Sequence, residues 1–155
     1  MAESVNSRPR TQKLIEDMLQ ERQQVLVLYW ELSKLTGGAA DQAMRDTLED
    51  FQEILVDYIA AGHFGLYQRL AEGTERRQRV VSIAEGIYPA IVRTTDAAVT
   101  FNEKYEEPNA ELEGSAFTIA LSELGEQLAV RTECEDQLIR AMLGEEYSIP
   151  ETPIQ

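Results

Sequence analysis

The amino-acid sequence predicts an all-α protein, an antiparallel up-down four-helix bundle with a kink in its third helix. Four long segments carry apolar residues at helical spacing, and short polar turns separate them. No segment shows the alternation of apolar and polar residues that is typical of a strand. A chain of 155 residues is long enough for one domain with a sizeable core. We therefore predict a bundle over residues 11–144, with flexible tails at residues 1–10 and 145–155.

The first two helices are predicted from their apolar stripes and from the residues at their ends. The first covers about residues 11–35 and stops at a pair of glycines. The second covers about residues 41–73, and Asp41 is a suitable N-cap. Gly62 and Gly65 interrupt the second pattern, but the apolar spacing keeps the same phase after them. We therefore predict one continuous second helix.

The third and fourth helices follow from similar patterns. The third covers about residues 76–105 and contains Pro89, which lacks an N–H group and should kink the helix. The fourth starts after Pro108 and Asn109, which are suitable as a stop and a cap, and it extends to Leu143.

Charge and cysteine content limit the classes of partner and compartment. The 28 acidic residues against 14 Lys and Arg give a net charge of −14, which disfavours direct binding of nucleic acid or anionic membranes. A basic protein partner fits this charge, and acidity that serves only solubility is the alternative. Cys134 is the single cysteine, no secretory leader is recognised, and no apolar run approaches the roughly 20 residues that cross a bilayer. We expect a cytoplasmic protein, a monomer or a weak dimer, without membrane contact.

Several charged side chains fall on or beside the apolar stripes. Isolated charges in a core cost several kcal/mol, so these groups should pair with one another and with tyrosine hydroxyls. We therefore predict a polar layer inside the bundle, although an exposed pair at i,i+4 spacing is the alternative for Arg131 and Glu135. The charged members are Arg22, Asp57, His63, Arg131, Glu135 and Asp136, and the candidate hydroxyls belong to Tyr29, Tyr58, Tyr67 and Tyr88.

The sequence argues against catalysis and metal binding. Carboxylate-bridged metal sites in helical bundles use Glu-x-x-His pairs, whereas the single histidine, His63, has no Glu three residues before it. No nucleophile or phosphate-binding loop accompanies His63 at a suitable spacing. We expect no catalytic residue, no metal and no cofactor. Two alternatives stay open: a bundle enzyme or small-ligand carrier that uses Asp57, His63 and Glu135, and an acidic scaffold that self-associates through the third helix.

The most unusual segment covers residues 51–70, FQEILVDYIAAGHFGLYQRL, where polar residues and two glycines interrupt a helical stripe. Within it, LVDYIAAGHFGLYQRL resembles the signature of the Rsd/AlgQ family, bacterial regulators that bind the primary sigma factor of RNA polymerase. Weaker matches extend the resemblance to about residues 13–142. They are LIEDMLQERQQVLVLYW in the first helix, IYP in the third and LGEQLAVRTECEDQLI in the fourth.

The resemblance implies a helical bundle that binds the C-terminal, promoter-recognition domain (region 4) of the primary sigma factor. Binding would keep that factor from core polymerase and from its promoter element. This domain is a basic helix-turn-helix module, so the acidity of the chain suits it. The resemblance implies a binding centre at Asp57, His63, Phe64 and Tyr67. Supporting roles would fall to Arg22, Arg131 and Glu135. We expect Asp57 to pair with arginines of the partner, Phe64 and Tyr67 to bury apolar area against it, and His63 to orient the site.

Overall fold

The computed structural model describes residues 2–68, 73 and 75–150, with side chains from Pro9 onward. Within these residues the protein is helical and contains no strand, so the predicted all-α class is confirmed. A five-residue π-helical segment, His63–Tyr67, continues the second helix and is called the π segment below. The four α-helices are α1 (Ala2–Leu35), α2 (Gln42–Gly62), α3 (Gln78–Tyr105) and α4 (Ser115–Leu143).

One hydrophobic core joins all four helices. α1 packs mainly against α2, and α3 packs mainly against α4. Phe51 of α2 meets Phe101 of α3 edge to face, with ring centres 6.1 Å apart. On the other side, the Phe101 ring contacts Phe117 of α4, which packs edge-on against Tyr105. These aromatic contacts hold α2, α3 and α4 together at one end of the molecule. The antiparallel up-down order and a kink at Pro89 stay predictions.

Two helices begin at positions that differ from the predicted ones. α1 begins at Ala2, so residues 2–10, predicted as a tail, continue the helical backbone through Pro9. The low apolar content of these residues leaves no stripe from which the extension could have been predicted. α4 begins at Ser115 and not soon after Asn109, because the buried Leu112 holds the preceding segment against the core as a non-helical connection.

The C-terminal segment after α4 is held against the core as far as the structure describes it. Tyr147 and Ile149 pack partly against core residues, which corrects the expectation of a free tail from residue 145. Arg79 Nη2 also bonds Glu145 Oε1 at 3.1 Å, at the start of this segment. Residues 151–155 lie outside the described part of the chain. Among the described residues, no helix combines the length and apolarity needed to cross a membrane.

Two glycines allow the second helix to lie close to its neighbours. The helical backbone is continuous through Gly62 and Gly65, as predicted, but it widens to the π geometry at His63. A β-carbon at Gly65 would lie 3.1 Å from the Leu14 carbonyl oxygen of α1, and one at Gly62 would lie 3.3 Å from Arg131 Nη2. A β-carbon would therefore require the α1 backbone to shift at Gly65 and the Arg131 side chain to shift at Gly62, although the backbone conformation of both glycines is an ordinary one.

Alanine substitutions should separate close packing from helix propensity. We expect Gly65→Ala to lower the free energy of unfolding by roughly 1–3 kcal/mol, because the backbone of α1 must move away. The matched control is Gly86→Ala in α3, where a β-carbon would meet no atom within 4 Å. Gly86→Ala should raise the free energy of unfolding by about 0.5–1 kcal/mol through helix propensity alone. Urea denaturation followed by circular dichroism measures both values, and effects of the same sign would contradict the close packing at Gly65.

Candidate protein-binding cleft

A cluster of buried charged side chains joins α1, α2 and α4. Glu135 is its centre and is fully buried. Glu135 Oε1 accepts a hydrogen bond from the Tyr58 hydroxyl at 2.5 Å and one from Arg22 Nη1 at 3.4 Å. Glu135 Oε2 accepts a bond from Arg131 Nε at 3.1 Å. Arg22 Nη1 also donates to Asp136 Oδ1 at 2.8 Å. We call these five residues the Arg–Glu cluster, in which two guanidinium groups balance two carboxylates.

The cluster also reaches α3 through Arg131. Arg131 Nη1 donates hydrogen bonds to Thr94 Oγ1 at 3.2 Å and to Thr95 Oγ1 at 2.8 Å. The guanidinium carbon lies 5.3 Å from the centre of the Tyr58 ring, within the range of a cation–π contact. Because Arg131 is 2% exposed, its charge depends on these partners for solvation. All four α-helices therefore meet at this cluster.

Burial and pairing shift the ionisation of the cluster in opposite ways. Complete burial raises the pKa of the Glu135 carboxyl, although Arg131, the Tyr58 hydroxyl and Arg22 each act to lower it. Burial lowers the pKa of the Arg22 guanidinium, but the carboxylates of Glu135 and Asp136 outweigh it and the net pKa is raised. Burial, reinforced by Glu135, raises the pKa of the Tyr58 hydroxyl well above its usual value. The tyrosine thus stays a hydrogen-bond donor to Glu135.

Five predicted members of the polar layer lie outside this cluster. Asp57 and His63 are exposed, and the Tyr67 hydroxyl has no hydrogen-bond partner among the described residues. The Tyr29 hydroxyl donates to the Leu121 carbonyl of α4 at 2.9 Å, in space that a side chain at Gly125 would fill. Tyr88 is a correction, because its side chain is 58% exposed. Ile87 occupies the core face of α3, and successive residues point about 100° apart around a helix. By contrast, burial excludes the exposed-pair alternative for Arg131 and Glu135.

An open cleft lies next to the Arg–Glu cluster, between α2 with the π segment on one side and α3 on the other. Its volume is about 580 Å³, and Arg131 and Tyr67 line it. The remaining lining is largely apolar. The wall on α2 and the π segment includes Val56, Ala60 and Phe64, and the wall on α3 includes Tyr88, Val92 and Val99.

Three of the four residues predicted to bind a partner, His63, Phe64 and Tyr67, line this cleft, and Asp57 adjoins the lining residue Val56. Asp57 and His63 are exposed, and the Phe64 side chain is 54% exposed with its ring centre 5.2 Å from that of His63. Tyr67 differs from the expectation, because it is only 7% exposed and belongs to the core. Phe64 and Tyr67 both belong to the wide turn of the π segment. This turn presents Phe64 to solvent while Tyr67 packs inward.

The α3 wall was missed from the sequence. Val92 and Val99 are large apolar side chains that are 38% and 46% exposed, and Asp96 lies between them on the cleft. Together with Tyr88 they form a second stripe at helical spacing, beside the stripe that enters the core. This second apolar stripe is the feature of the sequence that could have indicated the α3 wall, but periodicity alone does not show which of the two stripes is buried.

The cleft does not combine the groups that the enzyme or ligand-carrier alternative requires. Glu135 is buried among arginines, whereas Asp57 and His63 are exposed. In the described part of the chain, no three His, Cys, Asp or Glu side chains are grouped so that they could hold a metal ion.

Removing the central carboxylate should destabilise the fold. We expect Glu135→Gln to lower the free energy of unfolding by roughly 3–5 kcal/mol, because it leaves the buried Arg131 guanidinium without a carboxylate partner and Arg22 with Asp136 alone. Glu133→Gln is the matched control, since Glu133 is exposed on the same helix, and its effect should stay within about 0.5 kcal/mol. Thermal and urea denaturation measure the difference, and equal stabilities of the two variants would contradict the role of the cluster.

Alkaline pH should weaken the fold through its buried tyrosines. The usual tyrosine pKa is 10.0, and burial first, then Glu135, raises the pKa of both Tyr58 and Tyr67 above it. Above that pH the unfolded chain loses protons that the folded chain keeps, so the free energy of unfolding falls by about 1.4 kcal/mol per pH unit for each such tyrosine. Urea denaturation at pH values between about 9 and about 11 measures this fall in the free energy of unfolding. Tyr67→Phe should reduce the slope, because it removes one of these two buried hydroxyls, and an unchanged slope would contradict the prediction.

Comparison with known proteins places the chain in a family. Residues 2–143 match the family model described as Regulator of RNA polymerase sigma(70) subunit, Rsd/AlgQ. A protein of Yersinia enterocolitica named Regulator of sigma D is 32% identical over 134 residues, which cover 83% of this chain and 79% of the relative. A protein of the same name from Shigella dysenteriae is 31% identical over 135 residues, which cover 84% of each. No solved structure gave a significant match. The chain therefore belongs to the Rsd/AlgQ family of regulators of the RNA polymerase sigma-70 subunit.

Proposed function

We propose that this protein binds the C-terminal promoter-recognition domain, region 4, of the primary sigma factor and limits the use of that factor by RNA polymerase. It acts in the cytoplasm as an anti-sigma factor, by binding and without catalysis. The observation that carries the proposal is the exposure of Phe64 beside an apolar cleft, with the carboxylate of Asp57 nearby on α2. Membership of a family of sigma-70 regulators supports a sigma factor as the partner of that surface.

Electrostatics supports a basic partner. The chain carries a net charge of −14. Asp57 is exposed next to the cleft residue Val56, and Asp96 lines the opposite wall. Neither aspartate forms an ion pair within the described residues. Arginines that otherwise grip promoter DNA would find free carboxylates here, so binding to this protein and binding to DNA would exclude each other.

Apolar contact supplies the rest of the binding free energy. Exposed aromatic side chains dominate many protein interfaces, because a ring buries a large area at a small cost in entropy. Phe64 is such a ring, and His63 supports it from the side. Tyr67 packs in the core and lines the inner part of the cleft, so it offers the partner little apolar area. The protein acts as a monomer or a weak dimer, in which an up-down bundle holds α2 and α3 on either side of the cleft.

Substitutions at the cleft should weaken binding to the purified region 4 domain of the primary sigma factor. We expect Phe64→Ala to weaken it by at least about 30-fold, as for an aromatic hot spot of about 2 kcal/mol. Trp30→Ala is the control, because Trp30 is 49% exposed on α1 and does not line the cleft. Isothermal titration calorimetry measures both affinities. Undiminished binding by a folded Phe64→Ala variant would refute the proposed site.

The charge contribution has its own test. We expect Asp57→Asn to weaken binding severalfold and to reduce its dependence on salt, because exposed ion pairs are screened. Glu49→Gln removes the same charge from an exposed position of α2 that does not line the cleft, so it should leave the salt dependence nearly unchanged. Titration across a salt series compares the two, and identical slopes would show that only the overall charge matters.

A further inference from the structure

The cleft has two apolar walls, and the proposed binding centre uses one of them. α2 and α3 touch at one end, where Asn102 Nδ2 of α3 donates to the Gln52 carbonyl of α2 at 3.3 Å. Beyond that contact the cleft begins, and it continues along α2 from Val56 to Tyr67 of the π segment. These twelve residues correspond to roughly 16 Å of helix, about three turns.

The α3 wall repeats the pattern of the α2 wall. Tyr88, Val92 and Val99 lie four and seven residues apart, so they share one face of α3. Each is at least 38% exposed, and each lines the cleft. Large apolar side chains that face one another across an open cleft leave unfavourable contact with water on both sides. An occupant that touches both walls at once removes this contact most completely.

The charges at the cleft select the occupant. Asp57 is exposed on α2 next to the lining residue Val56, and Asp96 lines the cleft on α3. The guanidinium of Arg131 is already neutralised by Glu135. A segment with an apolar face and basic flanks complements this arrangement. An amphipathic helix has that form, since residues at i, i+3, i+4 and i+7 occupy one side of it.

The floor adds a polar requirement. Tyr67 is more than nine-tenths buried and lines the cleft, and its hydroxyl has no hydrogen-bond partner among the described residues. A buried hydroxyl without a hydrogen-bond partner lowers the stability of the fold, so native proteins rarely keep one that has no function. An acceptor on a side chain inserted between the two walls would provide the missing partner.

We propose that the cleft receives a single amphipathic helix of the region 4 domain, clamped between Val56 and Phe64 on one wall and Tyr88, Val92 and Val99 on the other. This inference rests on the proposed function and adds α3 to the binding surface. Asp96 serves as a second carboxylate for basic residues of that helix. The Arg–Glu cluster beneath the cleft would fix the spacing between the two walls. At that fixed spacing, the α3 side chains would determine which helix can fit between them.

Substitutions on α3 test the second wall. The double variant V92A/V99A should bind the region 4 domain on the order of tenfold more weakly than the unaltered protein, because it removes apolar area from the interface. Ile119→Ala is the control, since Ile119 is 55% exposed on α4 and does not line the cleft. Its affinity should match that of the unaltered protein. Circular dichroism checks that all variants are folded.

Photocrosslinking tests whether one helix occupies the cleft. p-Benzoylphenylalanine is placed at Val56 on one wall or at Val99 on the other, and the crosslinked region 4 residues are identified by mass spectrometry. We expect both positions to crosslink to the same helix of the domain, at residues on its two sides. Crosslinks to two different helices, or none from position 99, would overturn the inference.

The outcomes separate this inference from the proposed function. If the unaltered protein fails to bind the region 4 domain, the proposed function is wrong. If the unaltered protein and V92A/V99A bind that domain equally well, the proposed function is retained, and the inference that α3 forms part of the binding surface is wrong. Sedimentation equilibrium of the protein alone tests whether a second copy of the chain occupies the cleft. A dimer that V92A/V99A dissociates would assign the cleft to a second copy of the chain and would overturn the inference.

Discussion

Glu135 is a fully buried carboxylate, and the need to compensate its charge determines how the four helices meet. Its two oxygens are bonded by groups from three helices: Arg22 of α1, Tyr58 of α2 and Arg131 of α4 itself. Arg131 then extends the contact to two threonines of α3. A buried ion pair adds little net stability over apolar packing, but it tolerates only one arrangement of its partners. The cluster therefore specifies the relative positions of the helices more than it strengthens the fold.

That specification matters because the cluster lies directly under the cleft. Arg131 belongs to both, so hydrogen bonds hold the floor of the cleft, whereas the large apolar side chains of its walls are exposed. The glycines at positions 62 and 65 serve the same purpose. They let the second helix approach Arg131 and the backbone of α1 closely, and the π segment follows at this point. A wide helical turn at the edge of a cleft places Phe64 outward and Tyr67 inward within four residues.

On the proposed function, the combination of surfaces would let a small protein regulate a larger machine. Its acidic exterior would attract a basic promoter-recognition module over a distance, and it would repel the DNA with which it competes. The apolar cleft would then give the complex its contact area and its selectivity, since charge alone would attract many basic proteins. The ion pairs would mainly set the association rate, and the apolar walls would mainly set the lifetime of the complex.

The sequence by itself determined the all-α class, the approximate extents of α2 and α3, the acidic character and the family. It also identified Arg22, Arg131 and Glu135 as charges on core stripes, because helical periodicity and the cost of an unpaired charge are local arguments. Only the tertiary structure decided that Tyr88 is exposed, that Tyr67 is buried, and that Tyr29 bonds the backbone of α4. It also decided which of two apolar stripes on α3 enters the core. These outcomes depend on contacts between residues far apart in the chain, and periodicity within one helix carries no information about which neighbour covers each face.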